Sequence, residues 1–446
     1  MTETASFSNQ NSFVKNYFYS LLARYFCFFI LPHSKVLIAG DSNPLFEKAI
    51  RSSIAGKVDA RTNQSGLFSQ LYGENPDYIL LNGTFHREQD IQSFLEKAYD
   101  ACGPDSRLIV AYFSSLWKPI FDLASKLGLR HAEREVNWVS PSDVKNLCQL
   151  TRFEIVASSS RILLPVWIPV MSEFVNKWIS PLPFFRFFNL VNIAVLRPQK
   201  LALDKDHCSV SIVVPARNEQ GNIESAILRI PQMGPRDEII FIEGNSTDET
   251  WKTIQEMKEK YDGVRRIRIA QQDGKGKGDA VRKGFAMAEN DIFMILDADL
   301  TVPPEELPKF YSAIISGVGD FINGSRLVYP MEQRAMRFLN MVGNRFFAVA
   351  FSFLLGQEFK DTLCGTKVVS RRNYLKIVSN RDYFKDFDPF GDFDLLFGAA
   401  RSSLKIVDLP IRYRERTYGE TNISRWKHGW LLLRMTLFAA KKVKFI

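Results

Sequence analysis

At 446 residues the chain is too long for one ordinary core, and at about 150 residues per domain it divides into two or three. Hydrophobic residues make up 46% and charged residues 24%, the balance of a globular protein, which excludes a disordered chain, a fibrous repeat and a charged coiled coil. The net charge of +9 is uneven: residues 412–446 carry nine Lys/Arg against two Asp/Glu, whereas residues 201–411 carry 28 against 30, a neutral body with a basic tail suited to an anionic surface or substrate.

Residues 1–34 read as an amphipathic leader. Arg24 interrupts its only apolar stretch and no small-residue cleavage site follows, so no signal peptide is expected. Residues 35–198 alternate short apolar strands with helical stretches. Val36–Ala39 runs into a Gly40-Asp41-Ser42-Asn43 turn, Tyr78–Leu81 is a second strand, Arg107–Phe113 a third and Asn192–Leu196 the last. That alternation predicts an α/β unit with a parallel, doubly wound sheet. Phenylalanine is abundant, 36 residues, and clusters in Pro183-Phe184-Phe185-Arg186-Phe187-Phe188, which fits either a large aromatic core or a face that meets lipid or a greasy substrate.

Residues 199–208 form a polar linker, and a second α/β unit spans 209–411. Its expected strands are Val210–Val214, Glu238–Ile242, Arg266–Ala270 and Ile292–Leu296, with helices near 221–229, 246–260 and 279–288. Amphipathic stretches follow at 331–356 and, within a basic tail over 412–446, at 425–442. No run of 18 apolar residues lacks a charge, so no segment is expected to span a bilayer. Five cysteines without metal spacing make a zinc site or disulfide scaffold unexpected and fit a reducing, cytoplasmic compartment. No base-reading motif is present, so nucleic acid is not expected as a partner.

The chemistry concentrates at the strand ends of the second unit. The first strand leads into Pro215-Ala216-Arg217-Asn218-Glu219, the second into Glu243-Gly244-Asn245-Ser246-Thr247. A strand end before a helix is where open α/β sheets bind ligands, although Asn218, Glu219, Ser246 or Thr247 could also serve as helix caps. Gly274-Lys275-Gly276-Lys277-Gly278 offers exposed N–H groups and two cations to an anion, without the Walker spacing. The fourth strand delivers Asp297-Ala298-Asp299, two carboxylates on one side of a strand end, where Mg²⁺ or Mn²⁺ could bridge them to a diphosphate.

In this order these motifs resemble glycosyltransferase family 2 enzymes of the GT-A fold, and among them the polyprenyl- and dolichol-phosphate sugar synthases, over about 209–440. The resemblance implies that a nucleotide diphosphate sugar, GDP-mannose or a UDP-hexose, is the donor. It places Pro215, Asn218, Glu219 and Glu243 at the nucleoside, Lys275, Gly276, Lys277 and Gly278 at the phosphates, and Asp297 and Asp299 at the metal and diphosphate. Gly244 stands where that motif has a second acid, and Thr301 where the family often has Gln. Arg326 matches an arginine facing the acceptor phosphate, and Arg334, Arg337 and Asn344 lie on acceptor-binding, membrane-facing helices. Asp361 to Gly365 resembles the family's D-x-x-x-G segment, and Arg416 to Trp426, with Arg416 and Arg425, resembles its lid loop. Asp392 is the base that a hydroxyl acceptor would need; a phosphate acceptor is already a nucleophile. The implied acceptor is a polyprenyl phosphate or another lipid-linked species in cell-envelope glycan synthesis, reached by a protein bound peripherally to the anionic inner face of the cell membrane. The motifs leave oligomeric state open.

Residues 35–198 resemble a class I S-adenosylmethionine-dependent methyltransferase, through VLIAGDSN, DYILLNGTF, RLIVAYF with Trp117, and NWVSPSDVKNLCQLTRFEIV. Active members carry several glycines where only Gly40 remains here, and Asn43-Pro44 replace the rest, so S-adenosylmethionine is not an expected cofactor. Asp59 reads as a surface carboxylate.

Overall fold

The computed structural model describes residues 2–40, 43–54, 56–61, 75–127, 137–201, 203–204, 207–329, 338–383, 391–416, 418 and 425–446. Two compact units result, one of Met1–Lys200 together with Lys441–Ile446, the other of Leu201–Ala440.

The first unit contains, in chain order, α1 (Thr2–Phe29), β1 (Val36–Ala39), α2 (Pro44–Ser53), β2 (Val58–Arg61), β3 (Tyr78–Asn82), α3 (Ile91–Ala101), β4 (Arg107–Phe113), α4 (Lys118–Lys126), α5 (Pro141–Leu150), β5 (Phe153–Arg161), α6 (Met171–Phe174) and β6 (Val191–Pro198). Strand order is β2-β1-β3-β4-β6-β5. The sheet is not wholly parallel as expected: β6 runs antiparallel to both β4 and β5. Adjacent antiparallel strands need no crossover helix, so β5 returns directly into β6 through residues 162–190. β1 and β3 are buried on both faces, which explains their unbroken apolar sequence. Leu21, Leu22, Tyr25 and Phe26 of α1 are buried at helical spacing and join Val36, Ile38 and Leu80 in one core, with Arg24 turned outward.

The second unit contains β7 (Val210–Ala216), α7 (Ile223–Arg229), β8 (Glu238–Glu243), α8 (Thr250–Lys260), β9 (Ile267–Gln271), α9 (Lys277–Met287), β10 (Ile292–Ile295), α10 (Leu307–Ile315), β11 (Phe321–Ser325), α11 (Phe338–Leu355), β12 (Lys367–Ser370), α12 (Arg371–Ser379), α13 (Asp392–Arg401), β13 (Ile406–Pro410) and α14 (Arg425–Ala439). Strand order is β13-β11-β12-β10-β7-β8-β9, and β12 alone is antiparallel to its neighbours. The first strand, β7, lies between β8 and β10, so the order reverses there and a crevice opens at their C-terminal ends. Because β12 is reversed, its first residue, Lys367, lies at that same edge, opposite Asn323 of β11. β13 is registered parallel to β11, with Pro410 beside Ser325, so the chain after it also leaves from this edge. Topology therefore gathers residues 217–219, 243–248, 272–278, 296–301, 326, 361–367 and 411–416 along one rim.

Helix α9 packs flat on β7 because Gly284 lets it: a Cβ there would overlap the Val213 side chain. Gly284→Ala gains up to about 1 kcal/mol of helix propensity but overpacks this contact by about 1–3 kcal/mol. We expect a net loss of stability, read as a lowered urea midpoint with unchanged slope.

Candidate active site

The Asp297-Ala298-Asp299 turn sits where β10 ends, and each carboxylate holds a different cation. Asp297 Oδ1 lies 2.6 Å from Lys277 Nζ, delivered by the first residue of α9. Gly365 closes over this pair, and any Cβ at that position would collide with both the carboxylate and the ammonium group. Burial pushes the Asp297 carboxyl upward, but Lys277 more than reverses this and holds it below the usual range. Burial likewise works against the Lys277 charge, which Asp297 and then Asp392 outweigh, raising its pKa.

Asp299 is oriented from one side by Thr301, whose N–H and hydroxyl donate to Oδ1 at 3.1 and 2.8 Å. From the other side Arg416 donates to Asp299 Oδ2 at 2.7 Å and to Glu219 Oε1 at 2.9 Å. Arg416 reaches this position because residue 414 is tied back to the turn, its N–H donating to the Thr301 carbonyl at 2.9 Å. Burial raises the Glu219 pKa; Arg416 and the Asn222 amide, which donates to Oε2 at 2.7 Å, pull it back. Tyr418 packs on Gly221, where a Cβ would lie 2.6 Å from its ring.

The β7 and β8 loops are laced together. The Asn218 N–H donates to Ser246 Oγ at 3.0 Å, and the Thr247 N–H donates to Asn218 Oδ1 at 2.8 Å. Ser246 and Thr247 are therefore loop straps rather than the helix caps their position allowed, and α8 begins later, at Thr250. Asn218 accepts a left-handed φ of 55°, a conformation Asn tolerates better than most residues. Pro215 is half-buried one residue before the end of β7. Glu243 is buried, accepting from the Ser246 N–H at 2.5 Å and from the Gln271 amide at 3.1 Å. In the glycine loop Lys275 is exposed, while Gly276 takes φ 85° at the start of α9, whose first turn has no side-chain cap. Gly278 is buried against Gly391, where a Cβ would come within 2.6 Å of the Gly278 Cα.

Two further ion pairs stand on the rim. Arg326 grips Asp361 with two bonds, Nε to Oδ2 at 2.7 Å and NH2 to Oδ1 at 2.9 Å, and its own N–H donates to Oδ2 at 3.0 Å. The Asn344 amide donates to Asp361 Oδ1 at 2.7 Å. Arg326 and Asn344, singled out as acceptor ligands, are thus joined through a buried carboxylate. Asp392, singled out as a base, opens α13 and accepts from Lys367 Nζ at 2.8 Å. Lys367 also donates to the Cys364 carbonyl. Sequence reasoning missed Lys367 as a partner, and its spacing of 25 residues from Asp392 carries no local signal. Arg334 and Arg337 lie outside the described residues. Arg425 begins α14, and its side chain lies outside them too. Helix α11 exposes Val342, Phe346 and Val349 at helical spacing. Among the described residues no helix is long and apolar enough to cross a membrane, and no group of three or more His, Cys, Asp or Glu is placed to hold a metal.

Residues 211–377 match the family model "Glycosyl transferase family 2". The second unit therefore carries a glycosyltransferase domain of that family. Among its relatives, a dolichol-phosphate mannosyltransferase of Pyrococcus furiosus is 40% identical over 121 residues, 27% of this chain and 33% of that protein. A dolichyl-phosphate hexose transferase of Haloferax volcanii is 28% identical over 221 residues, 49% of this chain and 89% of its own. The undecaprenyl-phosphate 4-deoxy-4-formamido-L-arabinose transferase of Edwardsiella ictaluri is 26% identical over 49% of this chain and 64% of its own. The chain thus spans a third of the length of the first of these relatives. A crystal structure of glucosyl-3-phosphoglycerate synthase from Mycobacterium tuberculosis with uridine diphosphate aligns with 53% of this chain and 80% of its own at 19% identity and a TM-score of 0.38, too distant to carry an argument.

The Asp361 pair sets an acid-side prediction. Burial pushes the Asp361 carboxyl up, but Arg326 wins and the pKa falls to about 2. A depressed carboxylate stabilises the fold fully above its unfolded value near 3.9, and that contribution is lost as pH falls through about 2. Asp361→Asn leaves Arg326 without its counter-charge and should destabilise the fold by about 3 kcal/mol at neutral pH. Urea midpoints measured from pH 5 to 2 should also fall less steeply in the variant than in the wild type.

Proposed function

We propose that the protein is an inverting glycosyltransferase that moves a sugar from a nucleotide diphosphate sugar, GDP-mannose or a UDP-hexose, to a polyprenyl-phosphate-type acceptor. The observation that carries this reading is the Asp297/Asp299 turn with Lys277 and Arg416 already seated on its two carboxylates, at the switch point of the sheet. A diphosphate entering this crevice offers Lys277 and Arg416 a second anion to bind. Asp297 and Asp299 are hard oxygen donors that suit Mg²⁺ or Mn²⁺, the remaining ligands coming from diphosphate and water. Such an ion, when bound, supplies neutralisation of the charge that develops on the leaving diphosphate. Glu219, Glu243 and the strapped loops at Asn218 line the place for the nucleoside, and the start of α9, which has no side-chain cap, is where N–H groups would meet the phosphates. The acceptor phosphate attacks the anomeric carbon as the bond to the diphosphate oxygen breaks, and one displacement inverts the centre.

The relatives named for dolichyl and undecaprenyl phosphate support the lipid-phosphate acceptor. Lys367 donates to the Asp392 carboxylate at 2.8 Å, so a hydroxyl acceptor would have to compete with that ion pair for it, which a phosphate acceptor would not. Cytoplasmic placement on the inner membrane face follows from the nucleotide-sugar donor and the basic, apolar C-terminal stretch. We read the first unit as a methyltransferase-like scaffold without activity. Gly40, at φ 90°, faces Thr84, where a Cβ would lie 3.0 Å from Oγ1, and Asp59 is paired with Arg61 at 2.9 Å.

Asp299→Ala should lower metal-dependent turnover of nucleotide sugars by at least about 10²-fold, the scale for removing one preorganised electrostatic group. Transfer assays with Mn²⁺, with and without polyprenyl phosphate, read this directly. Turnover within a few-fold of wild type would sink the metal and diphosphate assignment.

A further inference from the structure

The connection from β5 to β6 is built with its polarity reversed. Its polar side chains point inward: Asn176 accepts from the Leu163 and Leu164 N–H groups at 2.9 and 3.0 Å, and donates to the Leu164 carbonyl at 2.7 Å and to Tyr17 Oη at 3.0 Å. Ser172 bridges the Ile168 N–H and the Val166 carbonyl, both at 2.7 Å, and Asn189 ties the Ser160 and Ser180 carbonyls, both at 2.9 Å. These three side chains are almost wholly buried. Meanwhile Val170 is 85% exposed, Phe184 72% and Phe187 66%, with Trp167, Phe174 and Phe188 also open. A loop meant for water places these classes the other way round. The internal bonds hold the apolar side chains outward as a preset face rather than letting it collapse.

Charge selects the occupant. Residues 162–190 contain one acid, Glu173, which sits 3.5 Å from Arg24, and two bases, Lys177 and Arg186. The C-terminal segment adds more: Phe445 stacks on Trp178 with centroids 5.2 Å apart, the Lys444 carbonyl accepts from buried Arg161 at 2.7 Å, and Lys441 and Lys442 are exposed. A second copy of this chain would bring the same positive charge and be repelled. Exposed Phe and Trp flanked by Lys and Arg match the boundary between headgroups and acyl chains of an anionic bilayer. We propose that the 166–188 face of the first unit, with the docked C-terminal lysines, seats in the interface of an anionic phospholipid membrane. The inference stands apart from the sugar-transfer reading, since it uses only the first unit and the last six residues.

Flotation of the full chain with phosphatidylglycerol-containing and pure phosphatidylcholine vesicles, without nucleotide or acceptor, tests it. Wild type should float with the anionic vesicles, less so at high salt, and Phe184→Ser/Phe187→Ser should partition at least about ten-fold more weakly. A second reading keeps Phe184 and Phe187: brominated lipid should quench tryptophan emission, and Trp167→Phe/Trp178→Phe should remove most of that quenching. Equal flotation of the serine pair, or absence of quenching, overturns the proposal. So does a concentration-dependent dimer that the serine pair dissolves while vesicles are ignored.

Discussion

Carboxylates brought to one rim of a sheet repel one another unless cations are placed among them. Two unit charges 4 Å apart interact by about 4 kcal/mol at an effective dielectric near 20, a large share of the stability of an ordinary domain. The second unit meets this constraint by alternation: Lys277 on Asp297, and Arg416 shared between Asp299 and Glu219. Much of the surrounding architecture follows. Residue 365 must be glycine to leave room for the first pair, α9 must start at Lys277 to deliver it, and the chain after β13 must return to the Asp297 turn to deliver Arg416.

The five ion pairs that Lys277, Arg416, Arg326 and Lys367 make divide by solvent access. Asp361 and Lys367 are almost wholly buried, so breaking either pair strands a charge without water, and these two act as permanent braces. Lys277, Asp297 and Arg416 each keep about a quarter or more of their side chains exposed. An incoming anion can compete for those cations without first opening the core. The same rim therefore holds fixed pairs that set geometry and accessible pairs that a charged ligand can rearrange. Lys277 and Arg416 approach the turn from opposite ends of the chain segment, so a diphosphate bound between them would link α9 to the stretch after β13.

The first unit uses polar bonds for a different end. There Asn176, Ser172 and Asn189 satisfy the backbone of a connection that carries no long helix, which frees its aromatic side chains from packing inward. The antiparallel β6 is what makes that connection possible, since a parallel neighbour would have required a crossover across the sheet face.

How much of this was legible in the sequence depends on the range of the physics involved. β1, β4 and the strands β7, β8 and β10 were readable because strands buried on both faces leave continuous apolar runs. The Asp297-Ala298-Asp299 turn and the Lys277 loop were readable because ligand-binding turns sit at strand ends. β2, β12 and β13 were not, since VDAR, KVVS and IVDLP hold no unbroken run of four apolar residues and are defined by their pairing partners rather than by their own pattern. The roles of Ser246 and Thr247 were misplaced because a cap and a strap look alike locally; only the left-handed turn at Asn218 turns them into a strap. Pairings such as Arg416 with Glu219, 197 residues apart, and Lys367 with Asp392 belonged to tertiary structure alone. By itself the sequence determined which charges the site would contain, because residue type and strand-end position are local properties. Which charge neutralises which was decided by sheet order and the reversal of β12, because Coulomb energy depends on distances that only the assembled fold sets.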